Sequence, residues 1–164
     1  MATYFRARFL AQALVVACAA LAALGGLARG ESVVWTGRTS GDLTTLAYGP
    51  LDPNAIPVLL LSCFNEMEIA VLDVHQEVEG SPGDPITIEI SSGQGQAPVQ
   101  GEVAKNRDTG KTFAEASDVK VKPILEVLGG EGPLSVSIGE TSVKLSDAGR
   151  ADAVAQFGKD CKLY

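Results

Sequence analysis

Apolar and polar residues alternate with a period of two in several stretches of the chain, and these stretches predict strands. Ile86, Ile88 and Ile90 alternate with Thr87 and Glu89, the pattern of a strand with one face buried. Leu134, Val136 and Ile138 alternate with Ser135 and Ser137, and beyond Gly139-Glu140 the pattern resumes as Thr141, Val143 and Leu145 against Ser142 and Lys144. Glycine at the first central position suits a two-residue type II′ hairpin. That register sets Val136 opposite Val143 and Leu134 opposite Leu145, all on one face, so turn chemistry and apolar pattern agree.

Val58 to Leu61 is continuously apolar, and Met67 to Val74 is apolar on both alternating faces. These segments read as central strands covered on both sides. Asn65-Glu66 supplies the turn between them, and weaker strand signals lie around Trp35 and from Leu43 to Tyr48. Ser91 to Gly101, rich in Gly, Gln and Ser, reads as a loop or irregular edge.

Two short helices are expected. Pro123 fits a first helical turn ahead of Ile124, Leu125, Val127 and Leu128, with Gly129-Gly130 as the stop. Ser146 is an N-cap candidate for a second helix with an apolar stripe of Ala148, Ala151, Val154 and Ala155. Gly158 would end it, and Phe157 would pack it onto the sheet. The expected fold is mainly β (α+β): a β-sandwich or curved antiparallel sheet with two short helices and one disulfide.

The first 30 residues follow another pattern. Arg6 and Arg8 precede a 19-residue run, Phe9 to Leu27, that is apolar or small except for Gln12. A charged start, an apolar middle and Ala28-Arg29-Gly30 read as a signal peptide, residues 1–30, cleaved before Glu31. Two alternatives accompany it. The run is nearly long enough for a retained membrane anchor, although Gly25-Gly26 interrupts it. Val15-Val16-Ala17-Cys18 resembles a lipobox, which would anchor a lipoprotein through Cys18, although Ala19 to Leu24 stays apolar where a polar tether would begin. Residues 31–164 then form a single periplasmic or secreted domain.

The chain carries 13 basic and 20 acidic residues, and cleavage before Glu31 would remove Arg6, Arg8 and Arg29, leaving 10 against 20 and a net charge of −10. Such a surface repels nucleic acid and anionic lipid and favours solubility or cationic partners. Cys63 and Cys161 remain, and an even cysteine count in an exported chain reads as one bridge, here joining an early strand to the C-terminal end.

Candidate chemistry is sparse. Asp108-Thr109-Gly110 spells the aspartic-protease triplet, but it lies in a polar turn between Lys105 and Lys111 rather than at an apolar strand end. His75, the single histidine, shares a strand face with Asp73 at i and i+2, a spacing open to acid/base cooperation. A strand-end surface histidine is the favoured reading. Glu66, Glu68, Asp73, His75, Glu77 and Glu79 fall in the most acidic stretch and form a candidate interaction face, without the ligand spacing of a metal site. No catalytic residue, metal or cofactor is expected. The six aromatics beyond residue 30 are too scattered for a sugar or single-stranded nucleic-acid platform.

The order of a signal segment, Trp35, an apolar strand Val58-Leu59-Leu60-Leu61-Ser62-Cys63, the Leu134 to Leu145 hairpin and an Ala-rich helix running to Cys161 resembles the small exported VasI/TagO-like proteins associated with type VI secretion and related proteobacterial periplasmic domains. It departs from them at Ser62, where they carry a basic residue, and at Ile86 to Ile90, where they carry an aromatic-Asp strand motif. The resemblance implies a periplasmic compartment and a similar fold. The expected role is a non-enzymatic exported binding or accessory module of the envelope, acting through an edge strand or the acidic 66–84 face on a protein or envelope partner, with no nucleic acid and no stable membrane insertion after processing. The alternatives are a small periplasmic hydrolase using Asp73 and His75, and a lipocalin-like carrier with an empty apolar interior.

Overall fold

The computed structural model describes residues 32–93 and 95–164. Two of the strand patterns end at turns that reverse the chain within two residues, each with a glycine at positive φ. Gly41 (φ +60°) joins β1 (Val33–Ser40) to β2 (Leu43–Pro50), and Gly139 (φ +57°) joins β8 (Leu134–Ile138) to β9 (Thr141–Leu145). The second hairpin has the expected register, Val136 opposite Val143 and Leu134 opposite Leu145. Glycine is favoured at both turns because an L side chain is strained there.

Between these hairpins lie β3 (Leu59–Phe64), β4 (Ile69–Val74), β5 (Pro85–Ser92), β6 (Gly95–Lys105) and β7 (Thr112–Ser117), followed by helix α1 (Val121–Leu128); helix α2 (Arg150–Asp160) follows β9. The described residues form one antiparallel sheet in the order β1-β2-β3-β4-β7-β6-β5-β8-β9. It curls until its first two strands meet the residues after its last. Trp35 donates its backbone N–H to the Ala148 carbonyl at 2.9 Å and its indole N–H to the Ser146 carbonyl at 2.7 Å. Of the two expected forms, the curved single sheet is the one present.

Both helices fill the concave side. Alternate residues Leu46, Leu59, Leu61, Leu72, Ile88, Ile90 and Leu134 point inward from five strands and are almost fully buried. α1 packs on β5 and β6, burying Val121, Ile124, Leu125, Val127 and Leu128, while α2 lies against β1 and β2. Phe157 of α2 has no exposed surface, and burying such a ring contributes roughly 1.5–3 kcal/mol. The Cys63–Cys161 disulfide, with Cα atoms 5.8 Å apart, ties the end of α2 to the inner face of β3. Asn65 braces the same point: its amide N–H donates to the Asp160 carbonyl at 3.2 Å, and its side-chain oxygen accepts the Lys162 backbone N–H at 2.8 Å.

Several expectations need correction. Ser146 does not cap α2; Gly149 (φ +77°) occupies that position because Ser146 is held at the sheet closure, and the chain turns three residues later. The buried face of α2 is Arg150, Ala153, Val154 and Phe157, so Ala148, Ala151 and Ala155 are exposed. The helix also runs through Gly158 to Asp160, since packing and the disulfide hold its last turn. Ser91 to Gly101 is largely strand, paired with β5 and turning near Gly93. β4 is fully buried on its inner face only; Val71 and Asp73 on the outer face are half-buried, because no second layer covers them. The proposed cleavage and lipobox positions in residues 1–30 lie outside the described residues.

Arg150 begins α2, where a cation is disfavoured by the helix dipole. The residue nonetheless is only 8% exposed, and its Nη2 donates to the Gly130 carbonyl at 3.0 Å and to the Gly132 carbonyl at 3.3 Å. Nη1 lies 3.2 Å from the Asp147 carboxylate in an ion pair that does not meet hydrogen-bond geometry. The side chain thereby pins the turn after α1 to the start of α2.

Candidate functional site

Strand alternation decides which polar groups share the outer face. Asp73 on β4 stands opposite Glu115 on β7, and Glu115 stands opposite Glu102 on β6. Three carboxylates therefore lie side by side across three strands, with Leu60 of β3 closing the row beyond Asp73. Like charges directly opposite one another destabilise a ladder. Asp73 shows the consequence: burial, and then the Glu115 charge, push its carboxyl up to about 6 from the ordinary 3.8. Its Oδ1 is buried without a hydrogen-bond partner.

His75 lies just past β4 and donates its backbone N–H to the Val58 carbonyl at 2.8 Å. Its ring packs on Phe113, with centroids 4.6 Å apart, and burial lowers its pKa below the ordinary 6.5. Asp73 and His75 do share the outer face, as the i, i+2 spacing requires. No hydrogen bond among the described residues joins them, and the cavity of about 190 Å³ beside His75 is lined by Ile56, Glu77, Lys111 and Phe113 but not by Asp73. Each group is held toward its neutral form by its own burial, and no direct contact couples the two among the described residues.

The acidic residues near in sequence are dispersed in space. Glu66 and Glu68 occupy the turn between β3 and β4, while Glu77 and Glu79 lie beyond the opposite end of β4, a strand about 20 Å long. Glu77 pairs with Lys111 at 3.2 Å, both side chains 67% exposed, so the contact adds little stability. Glu115 and Glu102 complete the row around Asp73 and were not picked out from sequence, because the registers of β7 on β4 and of β6 on β7 are long-range. Asp108-Thr109-Gly110 sits in the β6–β7 turn, where the Asn106 side-chain oxygen accepts the backbone N–H groups of Asp108 and Thr109. Among the described residues no cluster of three or more His, Cys, Asp or Glu side chains could hold a metal ion, and no helix is long and apolar enough to cross a membrane.

A second feature of the sheet was not anticipated. β6 and β7 pair only from Glu102–Glu115 to Lys105–Thr112, and beyond Gly101 they part. Gly101 marks the apex: a Cβ there would collide with the Glu115 carbonyl. Past the apex, β7 continues along β4, with Ser117 opposite Val71 and the Val119 N–H bonded to the Ala70 carbonyl at 3.0 Å. β6 stays with β5. Between them opens a cleft of about 290 Å³, lined by Pro98, Val99 and Gln100 on one side, Ser117 and Asp118 on the other, and Ile124 of α1.

The backbone on the β6 side is oriented for pairing. Val103 exchanges both hydrogen bonds with Gly83 and Asp84, on the β5 side, at 2.8 and 2.9 Å. Antiparallel alternation then directs the backbone groups of Gln96, Pro98 and Gln100 the other way, into the cleft. No strand pairs with them there among the described residues. Pro98 has no N–H to offer, which places it where a strand tolerates proline.

No protein-family model, curated protein or solved structure matches this chain.

Proposed function

We propose that this chain is an exported, non-enzymatic binding module that engages a protein of the cell envelope through a sheet edge. The observation that carries the reading is the internal edge at Gln96–Gln100: backbone groups aimed into a cleft, beside a ladder that ends at Gly101. The outermost strands are less suited to this. Trp35 on β1 already spends its backbone N–H on Ala148, and β9 is five residues long and carries Lys144. The disulfide accords with an oxidising compartment, and the resemblance to type VI secretion-associated exported proteins makes an envelope partner the natural expectation.

The hydrolase alternative lacks support because the cavity beside His75 is not lined by Asp73, and no hydrogen bond joins the two among the described residues. The carrier alternative lacks it because Phe157, Ile124 and Leu128 occupy the concave interior.

The test uses the full chain produced in its own cell. A photo-crosslinking residue at Gln100 is expected to capture one discrete protein, while the same residue at exposed Asp152 on α2 captures none. Intact mass of the exported chain is expected to start at Glu31. Absence of any adduct from Gln100 would overturn the binding reading, and a lipidated species starting at Cys18 would replace cleavage before Glu31 by lipoprotein anchoring.

A further inference from the structure

Resting on that reading, we infer that the partner enters as an extended basic strand, which adds to β6 at Gln96–Gln100 inside the cleft. Two features define the occupant. The first is hydrogen-bonding pattern. The cleft-facing edge presents carbonyls at Gln96, Pro98 and Gln100 but N–H groups only at Gln96 and Gln100, so it is short of one donor at its centre. An extended main chain satisfies such a row, whereas a helix or a folded surface does not present donors at that spacing. The missing donor also interrupts a two-sided ladder between copies of this edge, so Pro98 disfavours self-pairing.

The second feature is the difference between the two faces that an inserted strand would meet. Toward the concave side lie Val99, Val119 and Ile124, which take apolar side chains at alternate positions. Toward the outer face lie Glu102 and Glu115 at the apex and Glu89, which pairs with Pro98 across the β5–β6 ladder. No salt bridge among the described residues neutralises these carboxylates. Lys120 lines the opposite rim beside Asp118. A strand alternating basic and apolar residues therefore places cations over carboxylates on one face and apolar groups over α1 on the other.

Binding of an end-blocked octapeptide of alternating Lys and Val to the disulfide-intact chain tests this, measured by fluorescence anisotropy and by hydrogen exchange at the Gln96 and Gln100 amides. The peptide is expected to bind and to protect both amides. Three changes should each weaken it by about tenfold or more: replacing Lys by Glu, N-methylating two adjacent central residues of the peptide so that both of its edges are blocked, and Gln100→Pro in the protein. Unchanged melting of Gln100→Pro would show that the fold survives, and Glu102→Gln with Glu115→Gln gives a second route, expected to flatten the salt dependence of binding.

Charge-dependent binding indifferent to N-methylation and to Gln100→Pro would overturn strand addition while leaving the binding module standing. Equal binding of the Lys and Glu peptides would overturn the basic occupant. Failure of every peptide to bind, alongside a crosslinked partner at Gln100 in cells, would overturn the extended-strand occupant alone; failure of both would remove the binding reading with it.

Discussion

The indole N–H of Trp35 donates to the carbonyl of Ser146 at 2.7 Å, joining residues 111 positions apart and fastening the first strand of the sheet to the end of the last. Tyr48, opposite Trp35 on β2 with ring centroids 5.1 Å apart, accepts the Ser146 N–H on its hydroxyl at 3.0 Å. One residue's two backbone groups are thus satisfied by two side chains, and these contacts draw the curl together. Trp35→Phe keeps an aromatic ring and removes one bond; Tyr48→Phe removes the other. Each is expected to destabilise by about 1–2 kcal/mol, a fall of roughly 4–7 °C in Tm. Thermal unfolding checks this, and faster exchange of the Ser146 amide in Tyr48→Phe would locate the effect.

The disulfide closes a loop of 98 positions between β3 and the end of α2. Chain entropy assigns such a link about 4–5 kcal/mol, comparable to the lower end of domain stability. Cys63→Ser, Cys161→Ser and the double variant should melt far below the natural protein and close to one another, since either single change removes the bond. Thiol counting on the denatured natural protein should find neither cysteine free.

Asp73 and His75 should give stability slopes of opposite sign with pH. The Asp73 carboxyl is raised from 3.8 to about 6 in the folded chain, so its contribution is full below pH 3.8 and is lost as pH rises through about 6. Asp73→Asn should therefore stabilise the protein at pH 7–8, by roughly 1–2 kcal/mol once partial exposure is allowed for, and have little effect at pH 4. His75 is lowered from 6.5, so its contribution is present above pH 6.5 and is lost as pH falls through its lowered folded value. Denaturant unfolding between pH 4 and 8 separates them: Asp73→Asn retains the histidine slope, and His75→Phe retains the aspartate slope.

His75→Ala should fold, lose only its packing on Phe113, and capture the same partner through Gln100 as the natural chain. Crosslinking in cells reads this directly. A folded His75→Ala chain that loses its biological effect would restore the hydrolase alternative.

Arg150→Met keeps most of the apolar stem but leaves the Gly130 and Gly132 carbonyls without their donor. A loss of about 1–3 kcal/mol is expected. Arg150→Lys should recover only part of it, because an ammonium cannot reproduce the guanidinium fork. Unfolding of both variants against the natural chain measures the difference.

Local pattern determined much of this protein. Ile86, Ile88 and Ile90, the Gly139-Glu140 hairpin with its register, and α1 from Pro123 to Leu128 were legible because period, turn chemistry and helix stop act over a few residues. The bridge between Cys63 and Cys161 was legible because these are the two cysteines beyond the apolar N-terminal segment that holds Cys18. Tertiary structure decided the rest. The face that α2 buries was misread because alanines are helix formers that need not face inward, whereas Arg150 can be buried only where Gly130 and Gly132 meet it. Which carboxylates stand together depended on pairing β4 with β7 and β7 with β6, and so Asp73 found Glu115 and Glu102 rather than its neighbours Glu68 and Glu77. The cleft depended on the same pairing: one strand follows β4 and the other follows β5, and no local rule tells two strands where to part.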